Sequence, residues 1–420
     1  MPTVGYADYE EISQRYGAYL QRALGVTYEG LAARGPAEDI VPGFSDLDFR
    51  VILSDQATPG DWIAADRACG EIHAELAREN PAWWRILEHP PDFGLTMDEL
   101  VDDVWFDPEM RTWHPWQGPE HVFTMLRAYH GGRLWDEVDE VHHLNTYLGS
   151  CVPYRREADP PINLGPDATE YRLHSRCWHY FAPPMTSVAA LLRGTTPPGK
   201  RAALRWLTED IERGDVVQQV LELVDRHYHA PDLVESDALA EFDADLHAAF
   251  GEVETVVRAS LCHVDWPSDL GAADMKVRLA ADRPAAAARQ RLIETIRSVR
   301  FRVGRFAFYL DPPAGFDVGP LLRRECSAAE RLLGLPIRIG TALLGLEDAE
   351  RNPVVVIEAA MGRILSRDER ESLQHTWALV ESPPRDPAAL RRTVERAVAT
   401  WDRFYFVMET YAGRLLARLR

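Results

Sequence analysis

The sequence predicts an α+β protein, with a small mixed sheet near the N-terminus followed by mostly α-helical segments. Three observations carry this. Helix-like and strand-like stretches alternate over the first 130 residues, and beyond them apolar residues recur at three- and four-residue spacing. At 420 residues the chain is also too long for one compact core.

Residues 8–24 read as a helix, because Ile12, Tyr16, Tyr19, Leu20 and Ala23 fall on one face. Strand-like stretches follow at 25–29 and 44–53, separated by a loop rich in Gly and Pro. Residues 61–80 form a second amphipathic pattern closed by Pro81, and the short apolar run 83–88 predicts a further strand. From 131 onward the pattern is helical, over 131–148, 185–193, 200–228, 285–310 and 387–419. The last helix has Asp386 as a cap, Pro387 in its first turn, and Leu390, Val394, Trp401, Met408 and Leu415 along one face. A linker near 230–236 divides the helical part, giving units of 1–130, 131–232 and 233–420.

Composition excludes several classes. Hydrophobic residues at 46% and charged residues at 27% describe a folded chain rather than a disordered one. No run approaches the roughly 18 apolar residues of a membrane span. The N-terminus lacks a basic start followed by an apolar run, so no secretion leader is expected. Cys69, Cys151, Cys177, Cys262 and Cys326 are odd in number and scattered, which fits a reducing cytoplasm. A net charge of −20 opposes a nucleic-acid partner, which needs a basic surface; it serves solubility first and mildly favours cationic small molecules. Lys200 and Lys276 are the only lysines.

The stretch that carries chemistry is Gly43-Phe-Ser-Asp-Leu-Asp-Phe-Arg-Val-Ile-Leu53. In an extended chain Asp46 and Asp48 point to one side, while Leu47, Phe49, Val51 and Leu53 point to the other. Two adjacent carboxylates repel unless a cation sits between them, and hard Mg²⁺ prefers oxygen ligands. Upstream stands Gly30-Leu-Ala-Ala-Arg-Gly35. With the preceding helix and Ser45-Asp46-Leu47-Asp48, this order resembles the signature of the DNA polymerase β-like nucleotidyltransferase superfamily.

The resemblance implies a nucleotidyltransferase domain in which Asp46 and Asp48 ligate Mg²⁺, two ions in the usual arrangement. A glycine turn at Gly30 would present backbone N–H groups to a triphosphate, with Leu31, Arg34 and Ser45 beside it. Leu31 stands where the family carries a serine. The family's third carboxylate is assigned to Glu88, with Asp92 and Asp107 as alternates, to bind metal or take the acceptor's proton. Downstream, the stretch from Leu191 to Leu207 resembles the helical domain of aminoglycoside nucleotidyltransferases, which implies that Lys200 reaches the nucleotide phosphates.

Other features read as structural. Gly194-x-x-x-x-Gly199-Lys200 imitates a P-loop, but Arg201 replaces the Ser or Thr, and Pro197 and Pro198 remove N–H donors. His174, Cys177 and His179 lack a second ligand pair and fit packing around Trp178. His142-His143 marks a helix surface. Arg289, Arg291, Arg297, Arg300, Arg302 and Arg305 read as the solvated face of one long helix. The expected function is therefore transfer of a nucleoside monophosphate from a nucleoside triphosphate to a hydroxyl of a small molecule, an aminoglycoside or similar metabolite. The alternatives are an enzyme acting on protein or tRNA, and a non-catalytic nucleotide-binding member. Oligomeric state stays open.

Overall fold

The computed structural model describes residues 4–419 apart from 34, 36, 44, 85, 88, 92, 156–175, 228–237, 268, 312–321, 323–332, 347–351 and 382–383. Helix α1 (Tyr6–Leu24) leads into strands β1 (Tyr28–Ala33) and β2 (Phe49–Leu53), then helix α2 (Pro59–Glu79). Strand β3 (Gly94–Thr96), helix α3 (Met97–Val101), strand β4 (His114–Gln117) and helix α4 (Glu120–Gly131) complete the first part. Helices α5 (Glu137–Arg155), α6 (Ala182–Arg193), α7 (Lys200–Asp210), α8 (Gly214–His227) and α9 (Ala238–Leu261) follow. The remainder comprises α10 (Ala272–Arg278), α11 (Asp282–Arg300), α12 (Val303–Leu310), α13 (Leu335–Leu344), α14 (Pro353–Met361), α15 (Arg367–Glu381), α16 (Pro387–Ala399) and α17 (Trp401–Leu416). The described chain is thus mostly helical with a small mixed sheet, compatible with the α+β class.

The sheet has the order β3-β2-β1-β4, with β2 and β3 parallel and the other pairs antiparallel. Alternation along the strands divides their side chains between two cores. Leu31, Ala33, Phe49, Val51 and Leu53 pack with α1 and α2, whereas Ala32, Ile52 and Leu95 pack with Leu100, Val122, Phe123 and Leu126. Every residue of β2 is buried. Arg50 is the charged one, and it is ion-paired to Glu109 at 2.9 Å with its guanidinium 4.3 Å from the Phe93 ring centroid.

Several sequence expectations are corrected here. The first strand runs over Tyr28–Ala33 rather than 25–29, and the second begins at Phe49 rather than 44. None of the described residues of 83–88 lies in a strand: Pro81–Trp83 is a 3₁₀ turn, and Ile86 and Leu87 are buried in irregular backbone. The third and fourth strands are the short Gly94–Thr96 and His114–Gln117.

Three long helices are each interrupted. The 200–228 segment breaks at Ile211, where the Glu212 and Arg213 amides donate to Glu252. The 285–310 segment breaks at Phe301, and Asp66 of α2 caps the new helix by accepting from the Val303 and Gly304 amides at 2.6 and 2.9 Å. There α2 and α12 approach so closely that a Cβ on Gly70 would lie 2.8 Å from the Gly304 Cα. The 387–419 segment breaks at Thr400. Its start is as expected, since Asp386 accepts from the Ala389 amide at 2.7 Å and Pro387 occupies the first turn.

The arginines of α11 are not a solvated face. Arg297 and Arg300 are buried, and they pair with Asp107 at 2.8 Å and with Glu99 at 2.8 Å. Arg302 and Arg305, beyond the break, are buried as well. Helices α10–α17 therefore contribute to one apolar core with α1, α2 and the sheet, and a second core gathers α5–α9 around Trp178, joined by Ala286 and Ala287 of α11. The linker expected at 230–236 lies outside the described residues.

Removing one partner from a buried ion pair leaves a charge without compensation. Glu109→Ala should lower unfolding stability by about 3 kcal/mol or more in urea titration. The Arg50→Met/Glu109→Leu double variant should recover part of that loss, because it buries neither charge.

Candidate metal and phosphate site

The site lies off the N-terminal end of β2. Leu47 is buried in the same core as Phe49, and its amide donates to the Ile86 carbonyl at 3.1 Å. That bond lays the Asp46–Asp48 segment beside residues 86–89. It needs no regular strand, which is why Ile86 and Leu87 are buried without being sheet.

Further bonds hold both segments. Tyr9, fully buried in α1, donates its hydroxyl to the Ser45 carbonyl at 2.6 Å. The Ser45 amide donates to the Val41 carbonyl at 2.9 Å, and the Val41 amide donates back to Ser45 Oγ at 2.9 Å. On the other segment, the Leu87 carbonyl stands 3.0 Å from His73 Nε2 of α2. His73 is fully buried, and burial pushes its imidazole down to about 3, with His89 and Arg305 acting in the same direction. The ring is therefore neutral and donates to Leu87 through Nε2–H.

Asp46, Asp48 and His89 converge, each half-buried, with one ligand atom from each lying within 4.8 Å of the others. His89 Nε2 is 3.8 Å from Asp48 Oδ1, and its Nδ1 is 3.0 Å from the Pro90 carbonyl oxygen. A carbonyl only accepts, so Nδ1 carries a proton, and Nε2 is the ring nitrogen that faces Asp48. Donors on a small divalent cation sit about 2.1 Å from it, hence up to about 4.2 Å apart. The 4.8 Å bound on the cluster lies within about 1 Å of that span, a margin that side-chain torsions can close. An Asp-Asp-His set of this kind can hold a metal ion.

The structure distributes the other expected residues differently. Gly30 is not in a turn but in the middle of β1, opposite Ile52. It is glycine because the Gln117 carbonyl oxygen would lie 3.1 Å from a Cβ there. Leu31 is wholly buried in the core, so its side chain does not face the site. The turn after β1 falls instead at Gly35, whose φ is +78°, and the Gly35 carbonyl meets His114 Nδ1 of β4. Arg34 and Glu88 lie outside the described residues, as does Asp92. Asp107 is not with the pair. Despite burial, which opposes ionisation, His142 at 3.1 Å and Arg297 at 2.8 Å hold its carboxyl well below the usual range.

Lys200 opens α7 at the far side of the loop that follows β1. Its backbone N–H and that of Arg201 donate to Asp39, the Arg201 bond being 3.1 Å long. The helix N-terminus that a P-loop would offer to phosphate is thus occupied by a carboxylate of the chain itself. The Lys200 ammonium stands 5.3 Å from the Trp178 ring centroid, a cation–π distance. Gly194 ends α6 as its cap in the left-handed conformation, φ +59°. Cys177 and Trp178 are buried in the second core, as packing residues, while His174 lies outside the described residues.

Sequence reasoning missed His89. Its signal was available, since it directly follows the acid chosen from the same segment, but a lone histidine after an apolar run has no spacing to mark it. Asp39 was missed because its partner is 161 residues away.

No known family profile matches the chain. It is 32% identical over 110 residues to the phosphoglucosamine mutases of Staphylococcus aureus strains JH9 and Newman, which is 24% of this chain and 22% of each relative. The chain therefore spans less than a quarter of the length of these relatives. No solved structure matches. Among the described residues, no helix is long and apolar enough to cross a membrane.

The neutral state of His73 has a pH signature. Because its folded pKa lies below the ordinary value, its contribution is complete above about pH 6.5 and is lost as pH falls toward 3. Between pH 6.5 and 5 this amounts to about 2 kcal/mol. Urea unfolding of His73→Gln, which keeps a donor for Leu87, should show a pH slope shallower than wild type by about one proton over that interval.

Proposed function

We propose that this chain is a metal-dependent nucleotidyltransferase, moving a nucleoside monophosphate from a nucleoside triphosphate to a hydroxyl of a small molecule and releasing pyrophosphate. One observation carries the reading: Asp46 and Asp48 stand side by side off the end of a buried strand, with a third ligand within 4.8 Å. That arrangement can hold a divalent cation, and a divalent cation is what a triphosphate brings.

Asp46 and Asp48 hold the metal, one or two Mg²⁺ ions by the family resemblance, which when bound supplies charge neutralisation at the reacting phosphate. The acceptor oxygen forms a bond to the α-phosphorus as the bond from that phosphorus to the pyrophosphate oxygen breaks. By the family resemblance Glu88, which lies outside the described residues, would take the hydroxyl proton. Ser45 lies next to the pair with its Oγ set by the Val41 amide, so its hydroxyl hydrogen can turn toward a phosphate oxygen. The chain's charge of −20 suits a cationic acceptor such as an aminoglycoside. The partial likeness to phosphoglucosamine mutases supports an enzyme that handles phosphate esters, and by their name a phosphorylated amino sugar is among their reactants.

Gly30 and Leu31 have no part in this reading, and the Lys200 main-chain N–H is engaged by Asp39. The test is thermal stabilisation by each ribonucleoside triphosphate, with and without Mg²⁺, in wild type and Asp46→Asn/Asp48→Asn. A nucleotide at 100 times its dissociation constant adds about 2.7 kcal/mol, visible as a melting shift. The expected outcome is a Mg²⁺-dependent shift with at least one nucleotide that the double variant lacks. Absence of any shift moves the assignment to a non-catalytic role.

A further inference from the structure

We infer that His89 is a direct metal ligand through Nε2, and that this makes the site select a first-row transition ion over Mg²⁺. The inference rests on the metal-binding part of the proposed function and names the ion class that part would use. The family resemblance assigns carboxylates alone to this centre, so the imidazole is a property of this chain.

Three features of the ring support ligation. It comes from a segment separate from the two aspartates, brought beside them by the Leu47–Ile86 backbone bond of 3.1 Å. Its Nδ1 is engaged by the Pro90 carbonyl at 3.0 Å, the arrangement that orients metal-bound imidazoles and fixes their tautomer. Its side chain is only 11% exposed, and Nε2 stands 3.8 Å from Asp48 Oδ1. That separation is longer than a hydrogen bond and falls within the span of two donors sharing one cation.

The donor set then decides the ion. Mg²⁺ favours oxygen ligands alone and sheds water reluctantly. An imidazole nitrogen is a poor donor for it and a good one for first-row divalent ions. Two carboxylates and one imidazole form a mixed set that binds Mn²⁺ and the later ions of the series more tightly than Mg²⁺.

The experiment uses Mn²⁺ alone as the probe, on the full chain and without nucleotide. Mn²⁺ binding is followed by loss of the free-ion electron paramagnetic resonance signal, with competing Mg²⁺ added. Electron spin-echo envelope modulation then reports any ¹⁴N nucleus bonded to the metal. Wild type should bind Mn²⁺ in the presence of a roughly 100-fold excess of Mg²⁺ and show ¹⁴N coupling. His89→Asp should remove the coupling and reduce the preference for Mn²⁺ over Mg²⁺ by about tenfold or more. Mn²⁺ binding without ¹⁴N coupling in wild type, whatever the variant does, overturns ligation by His89 and leaves the nucleotidyltransferase reading intact. No Mn²⁺ binding in wild type overturns the inference, and the nucleotide melting shift with Mg²⁺ then decides the functional reading separately.

Discussion

The burial of β2 on both faces is the constraint from which the site follows. Val51 and Leu53 fill one core and Ile52 the other, so neither side of the strand has room for solvated carboxylates. Arg50 is accommodated by Glu109 at 2.9 Å and by the Phe93 ring beside it. Charged groups that must reach a ligand are therefore confined to the strand's end, where Leu47 is the last residue anchored in the core. Asp46 and Asp48 flank that anchor. Their convergence is a packing consequence as much as a chemical one, since the residue between them is held by apolar contact and one backbone bond.

This explains what could be read from the residues. Asp46 and Asp48 were legible because they interrupt an apolar alternation, and Leu47, Phe49, Val51 and Leu53 do share one core. The cap at Asp386 was legible because capping is local. Gly30 was misread because glycine serves equally for a turn and for close strand contact, and only the position of β4 separates the two. The helix interruptions at Ile211, Phe301 and Thr400 were hidden for a similar reason. The apolar faces continue across them, while the groups that stabilise two of the breaks, Glu252 and Asp66, lie far away in sequence.

The arginines of α11 show the same dependence on distant partners. Counted along a helix they look like a wet face, yet Arg297 and Arg300 tie α11 to Asp107, Glu99 and Glu409. Trp401 adds a bond of 2.9 Å from its indole N–H to the Val299 carbonyl. Burying such charges is costly and gives little net stability, but it tolerates few alternative registers. Their placement fixes α11 against the first 130 residues, and through α12 against α2, which carries His73. The C-terminal helices thus reach the site through the scaffold that positions its second segment.

Asp39 grips α7 by the Lys200 and Arg201 main-chain N–H groups. The two ends of this joint carry unequal information. At 200 and 201 almost any side chain supplies the same N–H, so that end can drift freely in sequence, with proline the notable exception. At 39 the geometry demands a short carboxylate. The connection between the loop after β1 and the α7 segment is thus written almost entirely in one residue, and relatives that preserve the joint should be recognisable by that acid even where the lysine has gone.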